Sequence, residues 1–167
     1  LDTGIADEAP VRIFVMGDNQ WRDEKIWPLQ RAKMKSMFLS SEGKANTPNG
    51  DGKIVKAKPA SESSDQFTYD PKAPVPTLYS KAAFTVPADQ KPHAERRDIL
   101  VYQSEPLTER LEVTGNPVVE LFAATSAPDT DFLVRLIDVH PDGRAIDVSL
   151  GMMRARYRNG LDKEQLV

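Results

Sequence analysis

His93 and His140 are the only histidines in this 167-residue chain, so any serine-triad chemistry would have to run through one of them. A triad needs a nucleophile, an imidazole to take its proton and a carboxylate to orient that imidazole. An α/β-hydrolase serine sits in G-x-S-x-G on a strand-to-helix turn, and no such motif occurs here. His93 stands in a charged stretch, KPHAERRD, and is expected to face solvent. His140 precedes Pro141-Asp142-Gly143, a strong turn signal, and is expected at a strand end near the surface. Cysteine is absent, which removes thiolate catalysis, disulfides and Cys-ligated zinc together. The residues therefore predict no catalytic group in this chain and no activity from it alone.

The carboxylates offer less than their number suggests. Asp129 and Asp131 form a D-x-D pair, but calcium takes about six to eight oxygens and two carboxylates do not define a site. The better reading has Asp129 shaping the turn after Ser126-Ala127-Pro128 and Asp131 opening the next strand, so neither metal nor cofactor is expected. Arg135 shares a strand face with Leu133, Ile137 and Val139, and must be paired if that face is buried. Asp131, Arg135, Asp138 and Arg144 are candidates for one ion network. Trp21 and Trp27 flank Arg22-Asp23-Glu24; aromatic rings beside charges suit sugar binding, but packing of a long loop is the favoured reading.

The elements that would position these groups are short. Thirteen prolines and nine glycines break the chain often, which favours strands and loops over helices. Residues 11–16 (VRIFVM) and 36–41 (SMFLSS) read as strands; residues 21–37 read as a loop with at most a turn of helix. Residues 43–64 are the most polar part and carry the turn dipeptides Asn49-Gly50 and Asp51-Gly52. From Asp98 the pattern changes, with strands expected at 99–103, 111–114, 117–125, 131–139 and 145–153. Regular short strands with turns between them predict an all-β sandwich or barrel. Segment 118–124 is apolar on both alternating faces except at Glu120, the mark of a central, doubly covered strand. Val119, Leu121, Phe132, Val134 and Leu136 are the expected core. Net charge is −3, so neither nucleic acid nor an anionic membrane is an expected partner. No apolar run approaches the roughly 20 residues of a membrane helix, and residues 1–10 are too acidic for a signal peptide. The lack of cysteine is compatible with a soluble cytoplasmic or an exported protein.

Three colinear blocks carry a resemblance: residues 11–23 (VRIFVMGDNQWRD), 104–115 (SEPLTERLEVTG) and 126–144 (SAPDTDFLVRLIDVHPDGR). Together they resemble the C-terminal domain of the X-Pro dipeptidyl-peptidase and cocaine esterase family of serine α/β-hydrolases. The likeness runs from about Leu1 to Asn159. It implies a jelly-roll β-sandwich of the galactose-binding-like type, with long loops and little helix. It implies that the triad lies in an upstream hydrolase domain, the intramolecular partner, with a homo-oligomer also expected. Residues 1–10 would be the linker and 11–167 the sandwich, lacking its last strands, since the chain opens on Leu1 and the family's later G-H-x-I motif is absent. Gly17, Trp21, Arg22 and Asp23 match a scaffold block of the family. By position alone, residues 78–84 match a loop that leans over the active site, making Leu78, Tyr79, Ala83 and Phe84 the candidate substrate contacts. The implied role is non-catalytic: covering the cleft and shaping the acyl pocket of an enzyme acting on esters, amides or X-Pro dipeptides. An independent carbohydrate-binding module and a structural β-sandwich are the alternatives.

Overall fold

The computed structural model describes residues 3–61, 63–78 and 87–167. Among these residues six strands form three antiparallel ribbons: β1 (Val11–Val15) with β2 (Gln20–Glu24), β3 (Phe38–Ser40) with β4 (Lys53–Val55), and β5 (Asp131–Val139) with β6 (Ala145–Arg154). The only helix among the described residues is 3-10, at Ile5–Asp7, Lys91–His93 and Ala155–Tyr157. The chain is strand-rich and nearly helix-free, as its breakers and β-branched runs require. It divides into two compact units, Leu1–Ser36 with Pro106–Val118, and Met37–Glu105 with Val119–Val167.

In the first unit β1 and β2 make a hairpin whose register sets Phe14 opposite Trp21. Their rings meet edge to face, 5.4 Å between centroids. Gly17 and Asn19 reverse the chain between them with φ of 85° and 55°, values that glycine and asparagine tolerate best. Residues 21–24 belong to the stretch 21–37 that reads as loop, and the hairpin corrects this. QWRDE lacks an apolar alternation, but the turn residues before it and the Phe14–Trp21 pair hold it in register. Among the described residues of this unit Leu29 is the buried apolar side chain.

In the second unit the β5–β6 hairpin has almost the expected bounds. His140 and Arg144 close it, the His140 N–H donating to the Arg144 carbonyl at 2.9 Å and the Gly143 N–H to the His140 carbonyl at 2.9 Å. Gly143 has φ 82°, the left-handed value its position in the turn demands. A bulge between Leu136 and Ile137 shifts the register, so Ile137 faces Asp147 rather than Val148. Residues 88–90 run along the other edge of β6: the Gln90 N–H donates to Ala145 and the Asp147 N–H to Ala88.

Three expectations need correction. β4 lies in the stretch read as polar loop, because three residues of KIV are too few to outweigh the surrounding turn signals. Residues 111–114 and 117–125 form no strand, and 99–103 contribute only single bridges at Leu100 and Gln103. The expected core also fails: Val119 (50% exposed), Leu121 (46%) and Leu136 (38%) face solvent, while Phe132 and Val134 are partly shielded. Among the described residues, what is buried in this unit is small or polar, namely Ala45, Ala88, Ala155, Gln90 and Asp147. Strand propensity is local and legible in sequence; burial needs neighbours, which no local pattern specifies.

Candidate functional site

Neither histidine is set up as a triad base. His93 is half-buried in its 3-10 turn. Burial lowers its pKa first, the charges of Arg135 and Arg96 add to this, and a hydrogen bond to the Pro76 carbonyl opposes them. His140 sits at the hairpin tip with Nε2 3.5 Å from the exposed carboxylate of Asp138. Among the described residues no serine hydroxyl reaches either imidazole, and no three metal-ligating side chains converge. No helix is long and apolar enough to cross a membrane.

The charged candidates are instead spent on pairing. Asp131 takes the Arg154 guanidinium in a fork at 2.7 and 3.0 Å, because the two are opposite in the β5–β6 register. Arg135 pairs with Asp147, which the bulge brings onto its face. Asp129 accepts from Arg156 twice, from Nε at 2.6 Å and from the backbone N–H at 2.9 Å. Arg144 turns back to Asp142 at 2.7 Å within the hairpin turn. The expected network of Asp131, Arg135, Asp138 and Arg144 therefore does not assemble. Each residue finds a partner across the ribbon or beside it in the chain, and register decides which.

In the first unit Arg22 holds the arrangement together. It grips Glu112 through both terminal nitrogens, at 3.1 and 2.8 Å, while its Nε lies 2.8 Å from Glu24. Arg31 also binds Glu24, Arg12 binds Asp23 at 2.6 Å, and Arg110 binds Asp18. Two of the three blocks singled out in the sequence, 11–23 and 104–115, are thus joined by forked arginine–carboxylate bonds. Glu112 and Arg110 were missed as partners; their one visible signal was a shared place in those blocks. Trp21 meets Phe14 edge to face but stays 68% exposed. Trp27 is also exposed. Leu78 is half-buried, while Tyr79, Ala83 and Phe84 lie outside the described residues.

Residues 3–167 match the family described as the X-Pro dipeptidyl-peptidase C-terminal non-catalytic domain. The chain belongs to this family. It is 43% identical to the cocaine esterase of Rhodococcus sp. over 98% of its own length, and covers 29% of that protein. It is 31% identical to a "Putative serine esterase" of Mycobacterium bovis and to one of the same name in Mycobacterium tuberculosis, covering 94% of this chain and 24% of each. The chain thus spans less than a third of the length of the curated relatives it matches.

The Arg22 grip in this X-Pro dipeptidyl-peptidase C-terminal domain carries an acid signature. Hydrogen bonds from Arg22 and then from Thr114 hold the Glu112 carboxyl down at about 2. A depressed carboxylate stabilises the fold at pH above its unfolded value of about 4.3, and loses that contribution as pH falls toward the folded value. A carboxyl-resolved NMR titration is expected to show Glu112 ionised down to about pH 2, and a clearly higher midpoint once Arg22→Met removes the grip, still below the ordinary glutamate value because the Thr114 hydroxyl continues to donate to it. An ordinary midpoint with Arg22 present would show that the fork does not form.

Proposed function

We propose that the chain is the accessory β-domain of a serine hydrolase acting on acyl esters, amides or X-Pro dipeptides, with the catalytic residues carried by an upstream α/β-hydrolase domain of the same parent. The observation that carries this reading is the family match over residues 3–167, together with relatives named as esterases that are more than three times as long. The chain's lack of a nucleophile motif and its paired carboxylates agree with it. In this reading residues 1–10 link the two domains and residues 11–167 belong to a jelly-roll sandwich. The accessory domain covers the active-site cleft and supports the oligomer. Leu78, with Tyr79, Ala83 and Phe84, adds an apolar wall to the acyl pocket.

A hydrophobic pocket wall discriminates by size. Leu78→Ala in the full-length parent is expected to lower kcat/KM for esters with a bulky aromatic acyl group by about tenfold, leaving acetyl esters within about twofold. An equal loss across an acyl-length series would mean that Leu78 acts on folding, not on the pocket.

A further inference from the structure

We propose that His93 and Arg96 are positioning residues: they grip the segment 65–76 by its carbonyls and so fix where Leu78 stands. This deepens the proposed function and rests on its reading of Leu78 as part of a pocket wall.

The side chains of residues 66–77 are exposed, so packing gives this segment little hold. Among the described residues its one backbone–backbone hydrogen bond is local, from the Ala73 N–H to the Asp70 carbonyl at 3.0 Å, and it pairs with no strand. Side chains tie it down instead. At one end the Asp65 carboxylate accepts from Ser41, Tyr102 and the Ala45 N–H, and the Asn46 amide donates to the Gln66 carbonyl at 3.0 Å. At the other end Arg96 Nη2 donates to the Ala73 carbonyl at 2.7 Å, and the His93 ring donates to the Pro76 carbonyl.

The spacing suits the grip. The Arg96 N–H donates to the His93 carbonyl at 3.0 Å, and side chains at i and i+3 of such a tight turn lie on one side. Their acceptors, Pro76 and Ala73, have the same separation in the chain. Arg96 also holds Asp98 in a fork at 2.8 and 2.5 Å, which fixes the plane of its guanidinium. Burial first, then the charges of Arg135 on β5 and of Arg96, lower the His93 pKa against the pull of Asp98, so the ring grips as a neutral donor at neutral pH. The turn itself is fastened to β6. The Gln90 N–H donates to the Ala145 carbonyl at 2.7 Å, and Asp89 accepts from the Ala145 N–H at 2.9 Å. Order thus passes from the β5–β6 hairpin through the turn to Pro76, close before Leu78 in the chain.

The test uses three variants of the full-length parent. His93→Leu removes the donor, His93→Gln keeps a neutral one, and Arg96→Lys keeps a charge beside Asp98 without the fork that aims a further N–H at Ala73. Trypsin cleavage after Lys72, followed by mass spectrometry, reads the grip without any catalysis. It should be about tenfold faster in His93→Leu and Arg96→Lys than in the wild type, and unchanged in His93→Gln. Equal cleavage in all four proteins would overturn the proposal, as would a rise in His93→Gln matching that in His93→Leu. Substrate discrimination reads the positioning. For esters with a bulky aromatic acyl group kcat/KM should fall about fivefold in His93→Leu, acetyl esters should lose less, and His93→Gln should behave as the wild type. Added to Leu78→Ala, His93→Leu should cost nothing further. Additive losses, or a loss equal for every acyl group, would overturn the proposal. If Leu78→Ala itself has no acyl-dependent effect, the pocket reading fails, and the cleavage rates still decide whether the grip exists.

Discussion

Gly52→Ala is expected to destabilise the structure around β3 and β4 by about 3 kcal/mol, the upper part of the overpacking range. A Cβ on Gly52 would stand 2.1 Å from the Val101 carbonyl oxygen and 2.9 Å from the Cβ of Ala45. Neither can retreat cheaply. The Val101 N–H donates to Ala45 at 2.7 Å and the Gln103 N–H to Gly52 at 3.1 Å, so the strand-like segments are bonded on both sides of the clash. Ala45 is fully buried. The amides of Val101 and Gln103 should exchange about a hundredfold faster in the variant. Gly151→Ala is the matched control, because nothing lies within 4 Å of its added Cβ and its φ is not positive. That change should be neutral or slightly stabilising. Equal behaviour of the two variants would mean that the close approach at Gly52 does not exist in solution.

Asp65→Ala is expected to cost a similar amount, about 3 kcal/mol, for a different reason. The Asp65 carboxylate accepts from the Ser41 hydroxyl at 2.5 Å, the Tyr102 hydroxyl at 2.6 Å and the Ala45 N–H at 2.8 Å. Removing it strands three donors, two of them part-buried side chains. Burial works against its ionisation, but those three bonds outweigh it and hold its pKa below the usual value. Its contribution is therefore present above the unfolded value of about 3.9 and is lost as pH falls through the folded one. The variant should lose that part of the acid sensitivity. Tyr102 supplies an independent check. Its pKa is raised well above the ordinary tyrosine value, first by burial and then by Asp65. Ultraviolet titration should find it lower in Asp65→Ala, yet still above an exposed tyrosine. An unchanged Tyr102 titration would show that the two side chains do not meet.

What could be read from the residues was what depends on near neighbours in the chain. Pro141-Asp142-Gly143 specifies its turn through φ restriction and an Asx bond, so the β5–β6 hairpin was legible almost to the residue. The partners of the charged residues were not, because a partner is chosen by register. One bulge at Leu136–Ile137 is enough to send Arg135 to Asp147, and no local pattern announces a bulge. The Arg22–Glu112 fork joins residues 90 apart. Only the colinear blocks hinted that these segments act together. Val119 and Leu121 were expected in the core and are about half exposed, because apolarity marks a residue for burial without naming what covers it. Asp65, one residue beyond the most polar stretch, gives no sign of its role, because a part-buried acceptor and a solvated carboxylate look the same in sequence.

The central claim is that this chain lends surface to a hydrolase and does no chemistry itself. It is tested most directly by exposing the purified 167-residue chain and its full-length parent, in parallel, to a fluorophosphonate probe and to p-nitrophenyl acetate. The account predicts no labelling and no turnover above the buffer rate for the chain, with the parent labelled on a serine outside residues 3–167. Probe-sensitive turnover by the chain alone, with label on one of its own serines, would contradict it.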